Sequence, residues 1–243
     1  YSVAEILKAS GKKVYKTHSN FAMESIRLDF NKSETFIYEK TTLKLKIPRH
    51  ADLVAQMYFV YEIPEIISDN VLNFRWIQNI GEGIIDNYYI SIGGSIIDKQ
   101  YGEFLHIQNN LNFTTDKRDA FNRMSGNVLQ LYAPDQVALL NNNLSNPPLR
   151  YRVGSSYPTY VPYDPLNPST YKPSIPTRKI YVPLTFWFNK DIGNALPLVS
   201  LQYSEVELTI ELRPWIQLYQ LYYNKSGKLG FYSPNIYMLY VEE

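Results

Sequence analysis

Three histidines, His18, His50 and His106, are the side chains best suited to metal binding or to proton transfer near neutral pH. Their spacing supports neither. No H-x-H or H-E-x-x-H pair sets two imidazoles on one side of a strand or helix, so a cupin-like or zincin-like centre lacks its ligands. His106 is expected on a helix surface and His18 in a local hydrogen bond. Asp98 and Glu103 are the nearest thing to a pair of catalytic carboxylates. Asp98 falls just after a turn and Glu103 near a helix start, where an acidic side chain favours the helix dipole, so both are assigned structural roles. Gly81-Glu82-Gly83 and Gly93-Gly94 are not phosphate cradles, because no G-x-x-x-x-G-K-(S/T) run follows a strand and opens a helix. The chain has no cysteine, which excludes disulfides and thiolate metal sites. No catalytic, cofactor-binding or metal-ligating residue is therefore assigned, and the chain is not expected to be an enzyme.

Bulk composition narrows the partners. Lysine and arginine number 24 against 23 aspartates and glutamates, so the chain as a whole has no electrostatic footprint for nucleic acid or a membrane surface. No apolar run reaches the ~18 residues that span a bilayer. No signal peptide is visible, and the chain opens on Tyr1 rather than Met, so an upstream segment is expected. Tyrosine occurs 22 times. Its flat apolar ring and polar tip suit wet protein interfaces, and β-rich proteins favour it in any case. Sequons at Asn31, Asn112, Asn143 and Asn224 matter only in a secreted protein, and nothing in the sequence says that this one is secreted.

The elements that must carry these residues read as strands. In Ile180–Asn189, Ile180, Val182, Leu184, Phe186 and Phe188 share one face, while Tyr181, Pro183, Thr185 and Trp187 share the other. Both faces are bulky, so this strand is expected to be covered on both sides. In Glu205–Arg213, Val206, Leu208, Ile210 and Leu212 point inward, and Glu205, Glu207, Thr209, Glu211 and Arg213 point to water. Lys190-Asp191-Ile192-Gly193 supplies the turn between the two runs. Further strands are read near Phe21–Phe30, at Thr41–Ile47, Gln56–Ile63, Val71–Ile77, Ile84–Ile92 and Ser95–Asp98, at Val128–Tyr132, and at the terminal run Asn235–Val241. Gly93-Gly94 between apolar runs predicts a tight hairpin.

Two helices are expected to interrupt the strands. One runs over 103–111, with Phe104, Ile107, Gln108 and Leu111 at helical spacing. The other covers 116–125, with Asp116 as cap, Ala120, Phe121 and Met124 as apolar stripe, Asp119 paired to Arg123, and Gly126 as the stop. Asp135–Asn141 is open between strand and helix. Residues 146–176 hold eight of the 15 prolines and five tyrosines, which bars them from a central strand and predicts a long surface excursion suited to subunit contact. Residues 1–20 read as an arm. The fold class is all-β: an eight-stranded jelly-roll sandwich of two packed antiparallel sheets with short helical insertions.

Three ordered blocks resemble one family. Val182-Pro183-Leu184-Thr185-Phe186-Trp187-Phe188-Asn189, continuing through Gly193, Ala195-Leu196-Pro197-Leu198 and Leu201-Gln202-Tyr203 to Glu205-Val206, is similar to the pattern VPL-x-FWF-N…ALPL…LQY-x-EV of the major capsid proteins of nucleocytoplasmic large DNA viruses. Trp76–Gly81 followed by Ile92–Leu105 is similar to that family's W-x-x-x-IG and IGG-x-x-ID segments. His18–Ile26 is similar to its H-(T/S)-N-F segment. The resemblance implies a protein of two consecutive jelly rolls. Three copies would form a trimeric pseudo-hexagonal capsomer, and capsomers would tile an icosahedral shell, often over an internal membrane. It implies a structural protein of the virion, assembled in the host cytoplasm. Its partners would be further copies of itself as a homotrimer, neighbouring capsomers and minor capsid proteins, with no nucleic acid, small-molecule substrate or cofactor. Residues 21–243 correspond to the first jelly roll and residues 1–20 to an arm, with the second jelly roll outside this chain. The chain is accordingly expected to be part of a longer, trimerising protein and to self-associate when expressed alone. Three alternatives stand beside this reading: a single-jelly-roll vertex (penton) protein, a jelly-roll carbohydrate-binding attachment domain, and an enzyme on a β-sandwich scaffold. The FWFN and IGG blocks favour the two-barrel capsid protein over the first. Neither of the others has its convergent polar site in the sequence.

Overall fold

A computed structural model describes residues 22–30, 38–68, 72–135, 157–225 and 228–231. Its strands are β1 (Thr41–Lys46), β2 (Leu53–Val54), β3 (Tyr58–Ile63), β4 (Leu72–Trp76), β5 (Ile85–Ile92), β6 (Ser95–Tyr101), β7 (Arg178–Pro183), β8 (Leu196–Pro197), β9 (Val206–Leu212), β10 (Tyr219–Lys225) and β11 (Lys228–Phe231). Among the described residues four helices, α1 (Ile80–Gly83), α2 (Gly102–Asn112), α3 (Thr115–Met124) and α4 (Leu129–Tyr132), interrupt them. Every strand pair is antiparallel. One sheet runs in the order β1-β9-β5-β6, and three smaller ladders run β11-β10-β4, β3-β7 and β2-β8. Strands from the two ends of the chain lie side by side, β9 between β1 and β5, and β7 beside β3. This wrapping of late strands onto early ones makes the fold the expected all-β jelly roll.

Period-two alternation builds the core. Val206, Leu208, Ile210 and Leu212 of β9 are all buried, and they meet Leu43 of β1 and Tyr88 and Ile90 of β5 in one apolar cluster. Phe59 and Ile63 of β3, Phe74 and Trp76 of β4, and Ile180 and Val182 of β7 join the same cluster. Each side chain of this size contributes about 1.5–3 kcal/mol when fully buried. The β5–β6 hairpin turns on Gly93 and Gly94, with φ +57° and +83°. A tight two-residue turn needs positive φ at both positions, and only glycine takes it without cost.

Several elements depart from the sequence reading. Residues 22–30 form no strand, although Phe30 packs edge-on against Phe59 with ring centroids 6.1 Å apart. The run Ile180–Asn189 is a strand only to Pro183, because proline cannot donate to a ladder. One more bond, Leu184 N to Met57 O at 2.9 Å, carries the chain onward to a 3₁₀ turn at Trp187–Asn189. The alternation nevertheless survives, since Ile180, Val182, Leu184, Phe186 and Phe188 are all buried. Its opposite face is not covered as expected, because Tyr181 and Trp187 are exposed. Thr209, expected to face water, is buried, because β9 is an interior strand and Lys44 and Tyr89 sit beside Thr209 in the register.

The helical region differs too. Val128–Tyr132 is a helical turn and not a strand. Gly126, at φ +78°, ends α3, and the amide of Asn127 returns to the carbonyl of Asn122 at 2.8 Å. After this stop the amides of Leu131 and Tyr132 both fold back onto Val128 O. Thr114, not Asp116, occupies the N-cap of α3; Asp116 lies in its first turn, where its charge suits the dipole. Asp119 and Arg123 form no ion pair among the described residues, and of the stripe Ala120, Phe121 and Met124 only Phe121 is buried. On α2, Phe104, Ile107 and Leu111 face outward. The arm at 1–20, His18, Asp135–Asn141 beyond its first residue, 146–156 and Asn235–Val241 lie outside the described residues.

Candidate functional site: an outward contact surface

The side chains that could do chemistry are tied into the scaffold. Asp98 on β6 accepts from Gln100 Nε2 at 2.8 Å through Oδ1 and from the Trp187 amide at 3.3 Å through Oδ2. Glu103, in the first turn of α2, accepts from Arg213 Nη2 at 2.8 Å. The two carboxylates therefore serve different partners and do not work as a pair. His50 is exposed in the segment after β1. His106 is on the surface of α2, as the sequence suggests, but its Nδ1 lies 2.5 Å from Oε2 of Glu82. Glu82 is only 4% exposed, and its Oε1 accepts from Asn109 Nδ2 at 2.5 Å.

Sequence reasoning missed this buried carboxylate. The only signal was a charged residue set between two glycines. Gly81 has no room for a side chain, since a Cβ there would strike the carbonyl oxygen of Ser125, so α1 is wedged against the end of α3. Glu82 thus points inward beneath α2. Beside it, lined by His106, Asn110, Phe113 and Arg118, remains a cavity of ≈ 10 Å³, which holds one water molecule at most. The cluster clamps α2 to the scaffold and has no space for a substrate. A second, open cleft of ≈ 330 Å³ lies between Ile47, Pro48, Leu198 and Val206, with Lys46 paired to Glu205 at 2.8 Å on its rim. Arg49 there spends its Nη2 on the carbonyls of Leu201 and Ser204, at 2.7 and 3.2 Å. Among the described residues no group of three His, Asp or Glu side chains could hold a metal ion.

The distinctive sequence blocks meet one another. The Asp98 carboxylate of the hairpin block receives the amide of Trp187 in the aromatic block. Tyr88, fully buried on β5, sets its hydroxyl 3.1 Å from Thr185 Oγ1 and accepts the Thr185 amide at 3.2 Å. Burial raises the pKa of this phenol, so it remains neutral. Phe186 stands edge-on to Tyr88 with centroids 5.1 Å apart and stacks on Phe188 at 5.5 Å. Asn189 closes the turn, accepting the Phe186 amide at 3.0 Å and donating to Ala55 O at 3.0 Å. These residues shape the protein rather than a reaction.

Several of the elements also present apolar side chains outward. On α2, Phe104, Ile107 and Leu111 are 50%, 55% and 79% exposed. On the β3–β7 ladder, Val60 pairs with Tyr181 and Tyr58 with Pro183, and Tyr58, Val60 and Tyr181 all face solvent. In the proline-rich excursion, Tyr157 and Ile175 are anchored in the interior while Val161, Tyr163 and Leu166 project outward. Isolated bridges at Ile66–Ile175 and Val161–Lys172 pin its described part. These are three exposed apolar groups on separate elements.

Comparison with known proteins shows the family. A family model described as major capsid protein N-terminus matches residues 11–232. The major capsid protein of Phaeocystis pouchetii virus is 34% identical over 207 residues, covering 83% of this chain and 36% of that protein. The major capsid protein of Paramecium bursaria Chlorella virus 1 is 28% identical over 219 residues, covering 90% and 38%. Among solved structures, the VP54 protein of PBCV-1, fitted into a reconstruction of the virophage Sputnik, aligns with a TM-score of 0.55 at 25% identity, over 84% of this chain and 37% of that one. The chain thus spans little more than a third of the length of the relatives it matches. With the aromatic and hairpin blocks interlocked as described and the match running through nearly the whole sequence, this chain belongs to the major capsid protein family of large DNA viruses, in the part described as its N-terminus.

Proposed function

We propose that the protein is a structural component of the virion, one jelly roll of a major capsid protein that builds trimeric, pseudo-hexagonal capsomers of an icosahedral shell. The family match over residues 11–232 carries this reading. The outward apolar surfaces on α2, β3 and β7 support it, since a shell protein is covered by neighbours on several sides. Residues 21–243 form the first jelly roll, residues 1–20 form an arm, and a second jelly roll completes the polypeptide. The partners are other copies, neighbouring capsomers and minor capsid proteins, close to an internal membrane, after assembly in the host cytoplasm. The protein performs no catalysis and takes no nucleic acid, cofactor or small-molecule substrate. Two measurements test this. Proteomics of density-purified virions should find the polypeptide among the most abundant species, and sedimentation of the complete polypeptide should give a trimer. Absence from purified particles, with the protein free in infected cells, would overturn the reading.

A further inference from the structure

β1 forms one margin of the sheet β1-β9-β5-β6, and among the described residues its only lateral partner is β9. Lys46 stands opposite Glu207, and the next residue, Ile47, donates its amide to Val206 O at 2.9 Å. In an antiparallel ladder alternate residues bond the same neighbour, so Ile47, Leu45 and Leu43 spend their backbone groups on β9. Thr42, Lys44 and Lys46 therefore turn their N–H and C=O groups away from the sheet. Among the described residues these groups meet no hydrogen-bond partner. A free edge of this kind is a template for another strand.

We propose that the free edge of β1 takes up an extended segment of a different protein as an added strand, one in which acidic residues alternate with apolar ones. Main-chain bonds to Thr42, Lys44 and Lys46 supply the attachment, and side-chain alternation supplies the choice of partner. β9 shows which alternation fits beside β1. Its Val206, Leu208, Ile210 and Leu212 join Leu43 in the core, while Glu207 and Glu211 share the outer face with Lys44 and Lys46. Lys46 Nζ meets Glu205 at 2.8 Å. Lys44 is exposed and lies opposite the uncharged Thr209, so its ammonium has no acidic partner among the described residues. A strand laid on the free side sets one row of side chains beside Lys44 and Lys46 and the other beside Leu43 and Leu45, and acid–apolar alternation suits both rows. The same lysines exclude β1 of a second copy, because antiparallel pairing of two such edges sets lysine beside lysine. No other part of this sequence qualifies. Glu205 and Glu207 are its only acidic residues two positions apart, and β9 is already enclosed between β1 and β5. This inference goes beyond the capsid reading and does not depend on it.

The test is fluorescence anisotropy of the complete polypeptide with two labelled, end-capped peptides. One has the sequence of residues 205–212, EVELTIEL, and the other is KVKLTIKL. The acidic peptide is expected to bind saturably and to weaken as salt is raised, with the basic peptide bound at least about fivefold more weakly. Lys44→Glu, a change at an exposed position, should reverse that order. Hydrogen–deuterium exchange over residues 41–47 should slow when the acidic peptide is present, because the outward amides acquire partners. Binding of neither peptide, equal binding of both, an unchanged order in Lys44→Glu, or unchanged exchange over 41–47 would each overturn the proposal. Proteomics of purified virions decides the capsid reading separately. A protein present in particles that binds neither peptide leaves that reading standing and removes only this edge.

Discussion

Tyr88→Phe isolates the polar joint between the aromatic block and the central sheet. The ring is fully buried and edge-on to Phe186, and phenylalanine keeps that packing. Only the hydroxyl is lost, and with it the acceptor of the Thr185 amide at 3.2 Å and the partner of Thr185 Oγ1 at 3.1 Å. Leaving a sequestered amide without its partner costs about 1–3 kcal/mol. For a domain of this size that lowers the melting temperature by roughly 2–4 °C per kcal/mol, so a drop of about 4–8 °C is expected at mid-range. Thr185→Val removes the side-chain hydroxyl but leaves the amide bonded to Tyr88, and should cost less, about 0.5–1.5 kcal/mol. The double variant should lose less than the sum, because the two groups share one interaction. The assay is thermal unfolding at fixed protein concentration, since self-association shifts the midpoint. Amide exchange at Thr185 reports the joint directly and should quicken in Tyr88→Phe. A melting temperature within a degree of wild type, with unchanged exchange at Thr185, would refute the reasoning.

Three further outcomes follow from the geometry. Gly126→Ala should destabilise by about 1–3 kcal/mol, because φ +78° is strained for alanine and its Cβ would stand 2.8 Å from Cδ1 of the fully buried Ile180; urea midpoints measure this. Asp98→Ala should loosen the Trp187–Asn189 turn by removing the acceptor of the Trp187 amide, at about 1 kcal/mol, seen as a shift in tryptophan emission with the hairpin retained. Lys40 Nζ bonds Asp86 at 2.6 Å, and this bond holds the Asp86 carboxyl below the ordinary aspartate range. A depressed carboxyl stabilises the fold above its unfolded pKa and loses that contribution as pH falls through the folded value, so Asp86→Asn should lower stability modestly at pH 7, converge with the wild type in acid, and so flatten the acid limb below about pH 4.

The parts of this protein that could be read from its sequence are those in which one chain segment reports its own surroundings. Alternation at Ile180, Val182, Leu184, Phe186 and Phe188 gave the buried face even where the strand ended early, because the side chains follow the core and not the ladder. Gly93-Gly94 gave the hairpin because the backbone demand is local. The parts that could not be read depend on partners far along the chain. The orientation of α2 is one such case. Its spacing places Phe104, Ile107 and Leu111 on a common face, but which face turns inward is decided by Glu82, more than twenty residues earlier and wedged beneath the helix by Gly81. Thr209 is another, buried by Lys44 and Tyr89 from strands on either side. The candidate surface was legible only as an unexplained surplus. The second face of Ile180–Asn189 is as bulky as the first, yet Tyr181 and Trp187 remain exposed. Two features, α2 with its stripe outward and β7 with Tyr181 beside Val60, leave the same surplus for independent reasons. In one the core-facing side is taken by Gly102, the buried Leu105 and Asn109 on Glu82, and in the other by the apolar alternation itself. A sequence that spends apolar side chains on both faces of its elements is specifying more than one core. The physical place for the second is between molecules or domains, which is where the proposed role as a shell protein puts it.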